Sequence, residues 1–322
     1  VEQVYQKKQN QTGHMETVKA RKINSTLKYM KTNYQLYLLV LPALILLVIF
    51  KYIPMYGAII AFKEFNPLMG IMGSPWIGLE NFQKFMSTPD FMNLITNTLL
   101  LSAFGLLFGF PVPIILAIMI QRIKRTAIKK NVQLVLYAPN FISVVVVVGM
   151  VFIFLSPVGP INKLIVFFGG ESLSFMTEPG YFRSIYIISD IWQFAGWASV
   201  VYLAALSNVS QDLLDAAKID GANIIQQIIH IELPVIKPIM VIQFILAAGN
   251  IMSIGFEKAY LLQTSMNLPA SEILPTYVYK IGLQMGDYGY STAIGLFNAV
   301  INVILLVSVN KIVKRLNEGE GL

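Results

Sequence analysis

Asp215-Ala-Ala-Lys-Ile-Asp-Gly-Ala-Asn-Ile-Ile-Gln-Gln-Ile-Ile-His-Ile-Glu-Leu-Pro234 lies in a polar island, residues 207–238, between two long apolar runs. Its local chemistry reads as two short helices joined by an elbow. Ser210 is a suitable N-cap, with Leu213, Leu214 and Ala217 at helical spacing behind it. Asp212 and Asp215 suit the positive end of that helix. Gly221 stands where a helix ends on a left-handed residue. A second helix over 223–232 is expected to stop at Leu233-Pro234, because proline lacks the N–H that continues the ladder. Ala216, Ala217 and Ala222 carry little bulk, so the elbow makes a compact knob whose backbone another surface could approach closely.

Outward from this island the chain is an all-α membrane protein. Of its 322 residues 56% are hydrophobic and 13% charged, against about 25% charged in soluble domains. A membrane helix needs about 20 mostly apolar residues. Six windows have that length and character: 34–56, 96–120, 132–155, 184–206, 239–261 and 291–312. Six spans put both termini on one side. The segments on that side, including 207–238, hold 17 of the 24 Lys and Arg. The remaining seven are Lys51, Lys63, Lys84, Lys163, Arg183, Lys258 and Lys280. This bias predicts cytoplasmic termini. The net charge of +7 thus reflects topology, and no nucleic-acid partner is expected, since no recognition motif accompanies the basic residues. The first span is expected to act as an uncleaved insertion signal.

Several chemistries are excluded. The chain has no cysteine, so it holds no disulfide, thiolate metal site or Cys nucleophile. Its two histidines, His14 and His230, lie outside the apolar windows. No HExxH, GxSxG or P-loop sequence is present.

In order and spacing, Asp215-Ala216-Ala217, Asp220-Gly221-Ala222, Ile231 and Leu233-Pro234 resemble the cytoplasmic coupling loop of permease subunits of bacterial binding-protein-dependent ABC importers of the maltose/oligosaccharide type. The family most often has Glu where Asp215 stands, so the charge is kept and the reach shortened by one methylene. A second likeness lies far away, in Trp76-Ile-Gly-Leu-Glu-Asn-Phe82 followed by Asn97-Thr98, and the segment 62–82 looks like that of permeases for polysaccharide-derived oligosaccharides. The resemblance implies a six-helix multi-pass fold in the bacterial cytoplasmic (inner) membrane, with both termini cytoplasmic. It implies a basic arm at 1–33, a first helix and outer loop at 34–91, a transmembrane domain at 92–313 with its coupling loop at 207–238, and a tail at 314–322. It also implies the partners: a second related permease subunit, two ATP-binding subunits and an extracytoplasmic solute-binding protein. ATP and Mg would sit on the partner ATPase, this chain binding no cofactor and no metal.

Polar side chains inside the apolar windows are candidates for a substrate pathway, because such groups usually face a bundle interior or a wet path. Asp190, Trp192, Gln193 and Trp197 recur in the fourth window; aromatic faces and amides suit the apolar and hydroxyl faces of sugars. Asn250, Ser253 and Glu257 form one helical stripe in the fifth, Asn298 and Asn302 stand one turn apart in the sixth, and Asn140 opens the third. An ion-coupled secondary transporter is the alternative, which would call for an internal repeat and buried acidic coupling residues. An intramembrane enzyme would need chemistry that the chain lacks.

Overall fold

The computed structural model describes residue 29 and residues 31–249 and 255–316. The chain divides into two compact units, 1–59 and 60–322. All but the last turn of α1 (Tyr34–Phe62) belongs to the first unit, and its residues 34–56 are exposed. A π-helical segment, Val48–Tyr52, precedes Pro54. Proline has no N–H to give, and the i→i−5 bond from Ile53 to Val48 keeps the helix continuous past that gap.

The second unit is a helical bundle. Its long elements are α2 (Phe91–Gln121), α3 (Thr126–Phe141), α4 (Val144–Phe154), α5 (Pro179–Leu206), α6 (Gln211–Ile219), α7 (Ile224–Gly249), α8 (Phe256–Leu262) and α9 (Tyr288–Leu316). Among the described residues five helices, α1, α2, α5, α7 and α9, are long and apolar enough to cross a membrane, and up to six if the bent pair α3–α4 counts as one span. Pro111 and Pro113 stand in the first turn of the last third of α2, Pro111–Gln121, which continues the limb Phe91–Gly109 as one span.

Two expectations about spans are corrected. The third window is not one straight helix: α3 and α4 meet at 100°. Ile142 and Ser143 are extended there, and the Ser143 hydroxyl accepts from the Val146 N–H, so the second limb starts with its own cap. The fifth window is shifted. The helix runs from Ile224 to Gly249, through Pro234 rather than stopping at it. A π segment, Ile228–Glu232, stands directly before Leu233-Pro234, and Leu233 donates to Ile228, as happens before Pro54.

Close packing rests on small residues, as lipid-embedded interfaces require. A methyl built on Gly196 of α5 would overlap the Leu136 carbonyl oxygen and lie 2.6 Å from the carbonyl carbon, so glycine alone lets α5 meet α3 here. Ala195 and Ser199 of α5 and Thr98 and Ser102 of α2 are also buried. Apolar clusters fill the remainder: Ile114, Ala117, Tyr202, Leu206 and Ile236 at one level, and Leu101, Val148, Phe182, Ile187 and Leu262 at another.

The segments flagged near Trp76 and Asn97 are structural ties. Asn81 is buried and donates to the carbonyls of Ala61 (3.0 Å) and Lys63 (3.3 Å). Asn97 donates to Pro269 (2.9 Å) and Glu272 (3.1 Å) and accepts from Arg183 (2.9 Å). Thr98 accepts from the Leu274 N–H at 2.9 Å. Asn97 and Thr98 satisfy backbone groups that the 267–274 segment leaves open, which fixes that segment against α2.

Candidate functional site

The knob is built from α6, an elbow, and the first turns of α7. Ser210 occupies the N-cap position with extended backbone, but its hydroxyl makes no capping bond. The other end is a full Schellman motif: Ala222 N–H donates to Ala217 O (2.8 Å) and Gly221 N–H to Lys218 O (3.1 Å). Gly221 sits at φ 81°, the left-handed value expected of it. Asn223 then caps α7 reciprocally, its side chain accepting from Gln226 N–H while the Gln226 side chain accepts from its own N–H. Two helices are thus ended and restarted within four residues.

Asp215, Ala216, Asp220, Gly221 and Pro234 are exposed, while Ala217, Ala222 and Leu233 are half-buried. The Asp215 carboxylate accepts from Lys218 (2.7 Å) and Gln211 (3.1 Å). The Lys218 bond first, then the Gln211 bond, holds its carboxyl below the usual carboxylate range. Ala217, Asp220, Gly221, Ala222 and Ile231 share a recess of about 320 Å³ in the elbow. Around it Leu213, Ile219, Ile224, Ile225 and Ile229 are exposed, Ile219 to 87%. The elbow thus presents an apolar collar next to a recess lined by small residues.

The knob is braced to the bundle by residues the sequence reading did not single out. Arg122, just past the end of α2, donates to Glu232 (3.0 Å) and to the Gln227 side-chain oxygen (3.5 Å). Gln227 in turn donates to Ala222 O at 3.0 Å, inside the elbow. Glu232 is 2% exposed. Arg122 had been read only as one of the basic residues that set topology. Leu233 packs into the Ile114–Tyr202–Ile236 cluster, which anchors the root of α7.

Among the pathway candidates, Asp190 lines a cavity of about 490 Å³ between α2, α5 and α7, with Ser102, Phe110, Tyr186, Phe194 and Tyr202. Its carboxylate accepts from Lys258 of α8 at 3.0 Å, a partner hidden in an apolar stretch and counted beforehand as a loop cation. Trp192 points elsewhere, into an apolar recess of about 520 Å³ with Phe154, Tyr181 and Ile188. Gln193 donates to Ile142 O (3.0 Å) and Trp197 packs edge-on to Phe141 (5.6 Å) and Tyr137 (6.3 Å). These two brace the α3–α4 corner, which also holds half-buried Asn140. Glu257 is exposed on α8, and Asn298 and Asn302 are half-buried on α9, none of them lining either cavity. Asn250 and Ser253 lie outside the described residues. Among the described residues no cluster of His, Asp or Glu suits a metal ion.

Comparison with known proteins agrees with this architecture. Residues 109–318 match the family described as "Binding-protein-dependent transport system inner membrane component". The chain is 43% identical over 297 residues to the polygalacturonan/rhamnogalacturonan transport system permease protein YteP of Bacillus subtilis (strain 168), covering 92% of each chain. It also matches a chain in the crystal structure of a bacterial ABC transporter involved in the import of the acidic polysaccharide alginate. That match has a TM-score of 0.83 and 39% identity, and covers 90% of this chain and 98% of the other. A second structure shows a bacterial alginate ABC transporter with an alginate pentasaccharide-bound periplasmic protein, at TM-score 0.84 and 38% identity over 92% and 99% of the two chains. By family, sequence and fold, the chain belongs to the binding-protein-dependent inner membrane components: it is a permease subunit of an ABC importer, a transport component rather than an enzyme.

Proposed function

We propose that this permease forms half of the translocation pathway for oligosaccharides cut from an acidic polysaccharide, with both termini and the 207–238 loop on the cytoplasmic side. A second related permease supplies the other half, two ATP-binding subunits carry ATP and Mg, and an extracytoplasmic binding protein delivers the sugar. The observation that carries the reading is the knob. It is exposed, ended and restarted by two complete capping motifs, and tied through Gln227 and Arg122 to the end of a spanning helix. A rigid exposed elbow of that kind converts a push by a docked ATPase into movement of α2 and α7. The substrate class is supported by relatives named for polygalacturonan and alginate, both built of uronic acids.

Because the chain has no native cysteine, single cysteines report contacts cleanly. Ala217→Cys should cross-link to a cysteine-bearing ATP-binding subunit in the purified complex, whereas Met72→Cys, exposed in the 63–76 loop, should not. Uptake in proteoliposomes with the binding protein should be ATP-dependent and should follow a uronic-acid oligosaccharide. Equal cross-linking at both positions, or uptake driven by an ion gradient without ATP, would overturn the proposal.

A further inference from the structure

We propose that Lys258 is a specificity-determining residue, which neutralises the wall of the α2–α5–α7 chamber so that anionic sugars pass it. The inference rests on the acidic-oligosaccharide reading above. Asp190 is the one charged side chain lining that chamber among the described residues, and it is 44% exposed. A bare carboxylate there would face each uronate carboxylate that entered. Lys258 lies behind it, 3% exposed, its ammonium 3.0 Å from the Asp190 oxygen. The ammonium also stands 5.1 Å from the Phe194 ring centroid and 5.9 Å from that of Tyr186. Aromatic faces hold a cation where water does not reach. The cation is therefore fixed and desolvated, while the anion it balances fronts the open space. The chamber's volume, about 490 Å³, is within the range of small-molecule sites.

The geometry makes the two partners unequal. Removing the cation leaves a negative wall, whereas removing the anion leaves a positive one. A purely structural ion pair would rank the losses the other way, since removing Asp190 strands the buried ammonium whereas removing Lys258 leaves a carboxylate that water reaches. At an effective dielectric of about 20, a like charge within a few ångströms is enough to change occupancy by tenfold or more.

The test uses the whole complex in proteoliposomes with its binding protein and trigalacturonate as probe, and compares Lys258→Met, Lys258→Arg, Asp190→Asn and the double variant Lys258→Met/Asp190→Asn. Subunit retention is measured for each. Lys258→Met is expected to lower trigalacturonate uptake at least about tenfold, through the rate at saturating binding protein. Asp190→Asn should lower it by no more than about threefold. Lys258→Arg and the double variant, whose walls are again neutral, should each recover most of the loss. A loss in Asp190→Asn as large as or larger than in Lys258→Met would overturn the assignment and leave a structural pair that serves to hold the buried ammonium. If the unmodified complex imports neutral trisaccharides but not trigalacturonate, the substrate class itself fails, and this inference with it.

Discussion

Gly221 gives the sharpest test of the elbow, because its requirement is conformational only. At φ 81° it occupies a region that L side chains rarely enter, and a Cβ built there meets nothing within 4 Å. No clash contributes, so the penalty of substitution is that of the left-handed backbone. For Ala that cost is about 1–2 kcal/mol. Asn, which tolerates this region, should cost less, and Val, branched at Cβ, more. A local loss of about 1–2 kcal/mol corresponds to roughly a 5–30-fold shift against the elbow conformation. The Schellman bonds of Ala222 and Gly221 would open with it. The assay is purification of each variant with its partner subunits, followed by retention of the ATP-binding subunits and substrate-stimulated ATP hydrolysis. Coupled activity should fall in the order Gly, Asn, Ala, Val, while membrane insertion is unchanged because residue 221 lies outside every spanning helix. Full coupling in the Val variant, or an Asn variant worse than Val, would refute the argument that a left-handed residue holds the knob.

Other perturbations follow from single contacts. Gly196→Ala forces a methyl onto the Leu136 carbonyl and should cost about 1–3 kcal/mol or more, seen as a lower Tm of the purified complex. Gly149→Ala, whose Cβ would meet nothing within 4 Å, should be neutral or stabilising in the same measurement. Arg122→Met strands the buried Glu232 carboxylate; a loss of about 1–3 kcal/mol is expected, with partial recovery on adding Glu232→Gln, and stability unchanged by Arg122→Met would dismiss the brace. Asn97→Leu removes the donor to Pro269 and Glu272 and the acceptor of Arg183. Protease susceptibility of the 264–274 segment should rise, and wild-type resistance would count against the tie. Reporter fusions after Lys124 and Lys314 should read cytoplasmic, and those near Ser74 and Gly170 external; an external reading at Lys314 would break the proposed orientation.

How much of this was legible in the sequence depends on the range of the physics involved. Spans and elbow depend on neighbours close in the chain. Hydropathy over about 20 residues located four helices well and the fifth out of register, and the glycine after Lys218-Ile219-Asp220 announced a left-handed stop that the structure contains. The hydroxyl of Ser210 was the local exception: its position is that of a cap, yet it bonds nothing. Proline was the other misreading, because Pro234 lacks a donor but a π segment just upstream removes the need for one, as the structure also has before Pro54. The 100° corner between α3 and α4 was invisible to hydropathy, since both limbs are apolar enough to read as one span.

What the sequence alone determined, then, is a polytopic helical protein with a compact polar knob between two spans, because apolar run length, basic bias and turn chemistry are all properties of contiguous residues. Tertiary structure decided which polar groups meet. Lys258 finds Asp190 across 68 positions and Arg122 finds Glu232 across 110. Trp192 and Asp190, two residues apart, open onto different cavities because successive helical positions turn about 100°. Such pairings depend on the close approach of distant helices, through positions as small as Gly196, and no local pattern encodes the partner.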